Sequence, residues 1–310
     1  MSGEIWQQIT CRPLVPGLQP ALSTIDLQEA EPDVEHQISE AENDWIIRYF
    51  RQFHLPIFQS TGISLDDLRI LEVGAGFGQL AYGTARNVCP KFYTATDIFP
   101  QLVSKLDENF KKWEANNFVA ALLDPNKDDI HIKDGAFNVI QSHSVLHHIL
   151  RYEDALARLY GKLDSPGVMV FCEPCLDAYV YFQTLTKAFR REAKISNELK
   201  DQLHYLDIYI DQRCGSERRN ADFLAQFGAG DKYLYSPFDL QDIAEKLGAN
   251  LHVWKDKRKA RGNFRFELSI RGASEEELLQ FDALLDEILP TGVDEAYFAD
   301  LRQVFSLTKF

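Results

Sequence analysis

The sequence predicts an α/β protein: a seven-stranded, mostly parallel sheet with helices on both faces, an inserted helical lid, and extra terminal helices. Three observations predict it. Short β-branched or aromatic runs alternate with amphipathic stretches from Arg69 to Cys172, the rhythm of parallel strands joined by right-handed crossovers. One apolar run ends in glycines at alternate positions, Gly74, Gly76 and Gly78, and opens directly into a helical pattern. After Pro174 the rhythm gives way to a helical block, and it resumes at Pro237.

Taken in order, residues 1–35 are rich in Pro, Gln and acidic groups without clear periodicity, and read as a tail or strap. From His36 to Phe53, the residues Ile38, Trp45, Ile46, Tyr49, Phe50 and Phe53 recur at helical spacing. A strand at Arg69–Val73 leads to a helix at Gln79–Val88, and a strand at Phe92–Thr96 to a helix at Pro100–Ala115. Strands follow at Phe118–Leu122 and Phe137–Ser142, then a helix at Tyr152–Leu163 and a strand at Gly167–Cys172. Residues 177–227 read as helical throughout. A helix at Pro237–Leu247 and strands at Asn250–Trp254 and Asn263–Ile270 continue the alternation, the two strands joined by a basic turn, Lys255 to Arg261. Helical patterns at Glu275–Leu289 and Glu295–Phe305 close the sequence. The expected division is a core at 36–176 and 231–272, a lid at 177–230 and C-terminal helices at 273–310, which pack on the core or on a second subunit as a homodimer.

Composition narrows the function. The 310 residues carry 33 basic against 47 acidic side chains, a net charge of −14, which opposes binding to a phosphate backbone. No apolar run approaches the roughly 18 residues that span a bilayer, and no basic-then-apolar leader opens the chain. A cytoplasmic protein without membrane or nucleic-acid partners is expected. Five cysteines spread thinly do not form a disulfide framework. Cys172 and Cys175 lack a second ligand pair, so no metal is expected there.

In an open parallel sheet, ligands bind beyond the carboxyl ends of the strands. Glycines at a strand-to-helix turn permit positive φ and close backbone approach, and the helix start offers free N–H groups. The first strand ends at Glu72 and the glycine turn. The second ends at Asp97, 23 positions after Gly74, where a carboxylate can accept from both hydroxyls of a ribose. The third ends at Asp124, the fourth at Ser142-His143 and the fifth at Glu173. Such acidic ends suit a nucleoside that carries a cationic group.

Leu71-Glu72-Val73-Gly74-Ala75-Gly76-Phe77-Gly78, Thr96-Asp97-Ile98, Ala121-Leu122-Leu123-Asp124, the run Phe137 to Ile149 and Leu163 to Pro174 occur in this order and spacing. In them the chain resembles the class I S-adenosylmethionine-dependent methyltransferases, whose fold is Rossmann-like. The likeness is good from Leu68 to Pro174 and looser from Pro237 to Ile270. Its Leu146-His147-His148 is similar to the signature of bacterial small-molecule and sugar O-methyltransferases. Asn138 departs from the family's frequent Asp, at a position that is usually structural.

The resemblance implies S-adenosylmethionine as cofactor, S-adenosylhomocysteine as product, and a role for each position. Glu72 with the backbone of Gly74, Ala75, Gly76 and Gly78 cradles the methionine portion. Asp97 holds the ribose and Ile98 packs on adenine. Leu123 and Asp124 meet the adenine edge, although Asp124 before Pro125 also reads as the start of a loop. The backbone near Ser142 faces the methionine amino group. Methyl transfer asks for an in-line nucleophile and a base of near-neutral pKa. His147 or His148 is the expected base, oriented by Glu173, with His143 as an alternative and the lid residues His204 and Tyr205 behind it. Arg190, Arg191, Arg213, Arg218 and Arg219 form a solvated helix face or hold an anionic substrate. The expected reaction is O- or N-methylation of a small natural product or sugar-like molecule. The motifs equally allow an enzyme that binds the cofactor and catalyses a non-methylating step such as cyclisation. A nucleic-acid methyltransferase is disfavoured by Ser142-His143-Ser144-Val145, where an N/D-P-P-Y/F motif would stand, and a non-catalytic binding protein by the intact glycine turn.

Overall fold

In a computed structural model, the described residues are 2–10, 40–127, 131–228, 230–254, 260–288 and 301–310. The chain divides into two compact units. The first comprises Met1–Cys172, Gln241–His252 and Phe305–Phe310, and the second Glu173–Leu240 and Val253–Val304.

Seven strands form one sheet in the order β3-β2-β1-β4-β5-β7-β6. They are β1 (Arg69–Val73), β2 (Phe92–Asp97), β3 (Phe118–Leu122), β4 (Phe137–His143), β5 (Leu163–Pro174), β6 (Asn250–Trp254) and β7 (Arg302–Lys309). The pairs β1–β2, β1–β4, β2–β3 and β4–β5 are parallel. From Ile70 to Val73 every residue of β1 is buried, as a strand covered on both faces requires. The order reverses between β1 and β4, and a crevice for ligands opens at such a point.

Helices α1 (Ser2–Ile9), α2 (Glu40–Gln52), α3 (His54–Ser60), α4 (Gln79–Asn87), α5 (Pro100–Lys112) and α6 (Tyr152–Lys162) belong to the first unit. The helical spacing after His36 is realised in α2, which buries Ile46, Tyr49 and Phe50. It crosses α4 closely at Gly83, where a Cβ would stand 3.1 Å from Ile46 and 3.2 Å from Phe50. Residues 2–9, expected to be part of an irregular tail, are helical. Ile5, Trp6 and Ile9 are buried, and Ile9 O accepts from Lys133 N at 2.9 Å. Residues 11–35 of that expected tail lie outside the described residues.

Asn138 does what an aspartate could not. Its Oδ1 accepts from Arg69 N at 2.7 Å while its Nδ2 donates to Asp67 O at 2.9 Å. An amide supplies both roles and an ionised acid only one.

The second unit holds α7 (Leu176–Glu192), α8 (Asn197–Cys214), α9 (Ala221–Ala225), α11 (Ala260–Ile270) and α12 (Glu275–Ile288). Between them in sequence, α10 (Pro237–Leu247) links the units. The second unit has its own core. Phe182 stacks on Phe264 at 5.3 Å and Phe189 meets Phe281 edge-on at 5.2 Å, and each fully buried ring contributes about 1.5–3 kcal/mol. Glu277 ties two helix starts together, accepting from Ser196 N and from Ser274 N, both at 2.7 Å. Those bonds hold its carboxyl down to about 2 against the upward pull of burial.

Two expected elements are corrected. Residues 263–270, read as the seventh strand, are helical in α11. Of their alternating apolar residues, Phe264 and Leu268 are buried while Phe266 is 64% and Ile270 59% exposed, so only the i, i+4 pair faces a core. The seventh strand is instead β7, over residues read as the end of a helix. It carries Val304, Phe305, Ser306 and Leu307 all buried, with Phe171 5.3 Å from Phe305. The basic turn falls largely on 255–259, outside the described residues.

Candidate functional site

The end of β1 folds into a turn in which Gly74, Gly76 and Gly78 have φ of +67°, +54° and +90°. An L side chain pays about 1–2 kcal/mol for that region, and glycine does not. Steric reasons differ along the turn. A Cβ on Gly74 would lie 2.8 Å from Val145 Cγ1 and closer still to Cγ2. One on Gly78 would lie 2.9 Å from Leu106 and 3.1 Å from Trp113. Over Gly76 there is open space, the nearest atom being Gln79 Oε1 at 4.0 Å.

Asp97, at the end of β2, closes onto this turn. Its Oδ2 accepts from Gly76 N at 2.9 Å and its Oδ1 from Phe99 N at 3.1 Å. Ala75 N donates to Thr96 O at 2.8 Å. Burial raises the Asp97 carboxyl above the usual carboxylate range, and the Phe99, Gly76 and Ile98 amides pull it back. A carboxylate accepts about four hydrogen bonds, so these two oxygens keep capacity for a ligand's hydroxyls. Ile98 is half-buried beside it.

Leu123 is fully buried, its N donating to Asp97 O at 3.0 Å. Asp124 serves its own loop: Oδ1 accepts from Asn126 N at 2.8 Å and Asn126 Nδ2 at 3.0 Å, and Lys127 stands 3.4 Å from Oδ2. Ser142, near the end of β4, has a buried Oγ without a hydrogen-bond partner. After His143 the chain turns at Ser144, left-handed at φ +59°, whose N donates to Cys172 O at 2.8 Å. His143 is half-buried, against Tyr49 edge-on at 5.5 Å, with Ser144 Oγ 3.2 Å from its Nδ1. A 3₁₀ turn, Leu146–His148, then carries the paired histidines, their rings 4.1 Å apart. His147 is buried and His148 exposed.

Glu72, near the end of β1, is 2% exposed and bonded to the neighbouring strand. Tyr93 Oη donates to its Oε2 at 2.5 Å, and Gln141 Nε2 to Tyr93 Oη at 2.8 Å. Burial pushes its carboxyl up to about 8, the Tyr93 bond acting the other way. Tyr93, Gln141 and His54 were not singled out from the sequence, although polar residues inside apolar strands were a signal available there.

In the second unit, Glu173 is buried, whereas His204 and Tyr205 are exposed. Of the five arginines, Arg191 and Arg219 are exposed and Arg190 and Arg218 half-buried. Arg190 pairs with Asp207, and Arg218 and Arg219 with Asp239. Arg213 is buried between the rings of Tyr209 and Phe227, at 4.0 and 4.5 Å. Arg213 alone of the five is buried, and a buried cation needs such partners.

The glycine cradle, the open space at Gly76, the buried Asp97 carboxylate and the unpartnered Ser142 hydroxyl fit an adenosyl amino-acid ligand. Residues 71–169 match the family model described as "Methyltransferase domain". A squalestatin hexaketide synthase of a Phoma species is 24% identical over 148 residues, 43% of this chain and 6% of that protein. The reducing polyketide synthase Preu2 of Preussia isomera is 28% identical over 114 residues, 36% and 5% respectively. The chain thus spans only about a twentieth of these relatives. Among solved structures, phosphoethanolamine N-methyltransferase 2 of Haemonchus contortus, in complex with S-adenosyl-L-methionine, is 16% identical. That likeness covers 87% of this chain and 56% of the other, at a TM-score of 0.49. Segment 71–169, with its glycine turn closed on Asp97, is therefore a methyltransferase domain of class I, and S-adenosylmethionine is its cofactor.

Proposed function

We propose that the chain methylates oxygen or nitrogen of a small natural product, the cofactor lying across the glycine turn. The observation that carries this reading is the bond from Gly76 N to Asp97, beside a turn position left open to a ligand. The relatives, a hexaketide synthase and a reducing polyketide synthase, support a polyketide-like acceptor. The acidic balance of −14 supports a small molecule over a nucleic acid.

When bound, S-adenosylmethionine supplies a methyl group on a sulfonium, a good leaving group. The chain's own residues have three tasks. Asp97 accepts from the ribose hydroxyls, with Ile98 and Leu123 as apolar flanks for adenine and Asp124 beside its edge. Glu72, the glycine amides and Ser142 hold the amino-acid end. His147 takes the proton of the accepting hydroxyl or amine, a step worth about 10²–10⁴-fold in rate. His148, His143 and Glu173 are the other residues to replace in turn.

The test is incubation with methyl-labelled cofactor and a panel of phenols, amines and polyketide-like acceptors, read by mass spectrometry. Label in the product is expected. Cofactor binding with an unlabelled, rearranged product would overturn methyl transfer and favour a cyclisation.

A further inference from the structure

Beneath the end of β1, four side chains no more than 2% exposed form an unbroken file: Glu72 on β1, Tyr93 on β2, Gln141 on β4 and His54 opening α3. Beyond the two bonds already given, His54 Nδ1 lies 2.9 Å from Gln141 Oε1. The strand register aligns them, since Glu72 pairs with Gln141 and Ile70 with Tyr93. The walls are aromatic. Phe50 stacks on His54 at 5.4 Å, and Phe118 on Tyr93 at 4.5 Å. In such surroundings a polar file is tolerable only while every member is satisfied.

Gln141 has one donating and one accepting end, so the sense of one bond fixes the others. In the forward sense His54 donates from Nδ1 to Gln141, Gln141 to Tyr93, and Tyr93 to an ionised Glu72. In the reverse sense a protonated Glu72 donates to Tyr93, Tyr93 to the Gln141 oxygen, and Gln141 to a bare His54 Nδ1. The reverse sense requires a protonated Glu72, and an ionised Glu72 permits only the forward one. Burial favours the protonated acid, with Tyr93 opposing and Asp97 adding repulsion. Burial also holds His54 down to about 3, with Gln141 opposing and His143 assisting, so His54 stays neutral and changes only its tautomer.

We propose that this file is a proton-coupled positioning relay: an ammonium group arriving beside Glu72 expels its proton to solvent and locks His54 as the Nδ1–H tautomer. The inference rests on the reading of Glu72 as a contact of the cofactor's amino-acid end. Tyr93, Gln141 and His54 act through Glu72 and are positioning residues.

The probe is S-adenosylhomocysteine, which carries the same ammonium and no transferable methyl. Calorimetry at pH 7 in buffers of different ionisation heat should show close to one proton released per ligand, falling toward none at pH 9. Nitrogen-15 spectra should show His54 moving to Nδ1–H on binding. Tyr93→Phe keeps the ring and removes the donor. Its affinity should fall about 10-fold at pH 7, the equivalent of one pKa unit, and recover near pH 9, which a packing defect would not do. Binding without proton release, with an unchanged His54 tautomer, overturns the relay. If Glu72→Gln binds S-adenosylhomocysteine as tightly as wild type, the underlying contact is what fails.

Discussion

Alanine placed at Gly74 or at Gly76 should separate the turn's two duties, stability and binding. Both residues have positive φ, +67° and +54°, so each alanine carries a backbone cost of about 1–2 kcal/mol. At Gly74 the added methyl also runs into Val145, 2.8 Å from Cγ1, and valine has little rotamer freedom with which to retreat. Overpacking adds about 1–3 kcal/mol, for a total of about 2–5 kcal/mol. At Gly76 nothing stands within 4 Å except Gln79 Oε1 at that limit, so stability loses only the backbone share. For a chain of this size 1 kcal/mol lowers Tm by about 2–4 °C. Thermal melts should therefore show Gly74→Ala falling by about 4–20 °C and Gly76→Ala by about 2–8 °C. Calorimetry with S-adenosylhomocysteine should show the opposite ranking among folded samples, Gly76→Ala losing 10-fold or more, about 1.4 kcal/mol. Wild-type affinity in Gly76→Ala would refute the claim that the space over this residue belongs to the ligand.

Further outcomes are expected elsewhere. Glu72→Gln should stabilise the unliganded protein increasingly as pH rises. The folded carboxyl is raised from 4.5 to about 8, so its contribution is full below about 4.5 and lost above about 8, a change of roughly 3–5 kcal/mol. A Tm difference that is flat between pH 5 and 9 would contradict this. His147→Asn should cut kcat about 10²–10⁴-fold while S-adenosylhomocysteine affinity stays within about 2-fold, and an unchanged kcat would remove it as the base. Asp239→Asn should cost about 2–3 kcal/mol, since it leaves Arg218 and Arg219 with a neutral partner. Burial alone would raise the Asp239 carboxyl, but its Arg218, Ser236 and Arg219 bonds lower it to about 2. The wild type should therefore lose this contribution between about pH 4 and pH 2, and the variant should not.

Much of the cofactor half was readable in advance because its signals are local. A glycine that needs positive φ and an acid at a strand end leave marks in a few adjacent residues. Gly74, Gly76, Gly78 and Asp97 were found that way, and they meet in the structure. The elements misread were those whose environment is set from a distance. Asn263–Ile270 alternates like a strand, yet Phe266 and Ile270 project outward and only the core at Phe182 and Phe281 selects the helical face. The residues of β7 show no alternation because neither face is open to water. His54 was hidden more deeply, since nothing near it in sequence announces that a glutamine 87 positions later will meet its ring. Arg190, Arg218 and Arg219 looked free for the same reason, their acidic partners being 17 to 21 residues away.

β7 lies between β5 and β6, not at a margin. This strand thus fills an interior slot, and Lys309 Nζ clamps it by donating to Leu163 O at 2.7 Å. During translation the ribosome must release these residues before β6 can gain its neighbour. A stop codon placed just ahead of Arg302 would strip β6 of its neighbour as well as removing β7, a worse injury than clipping an outer edge.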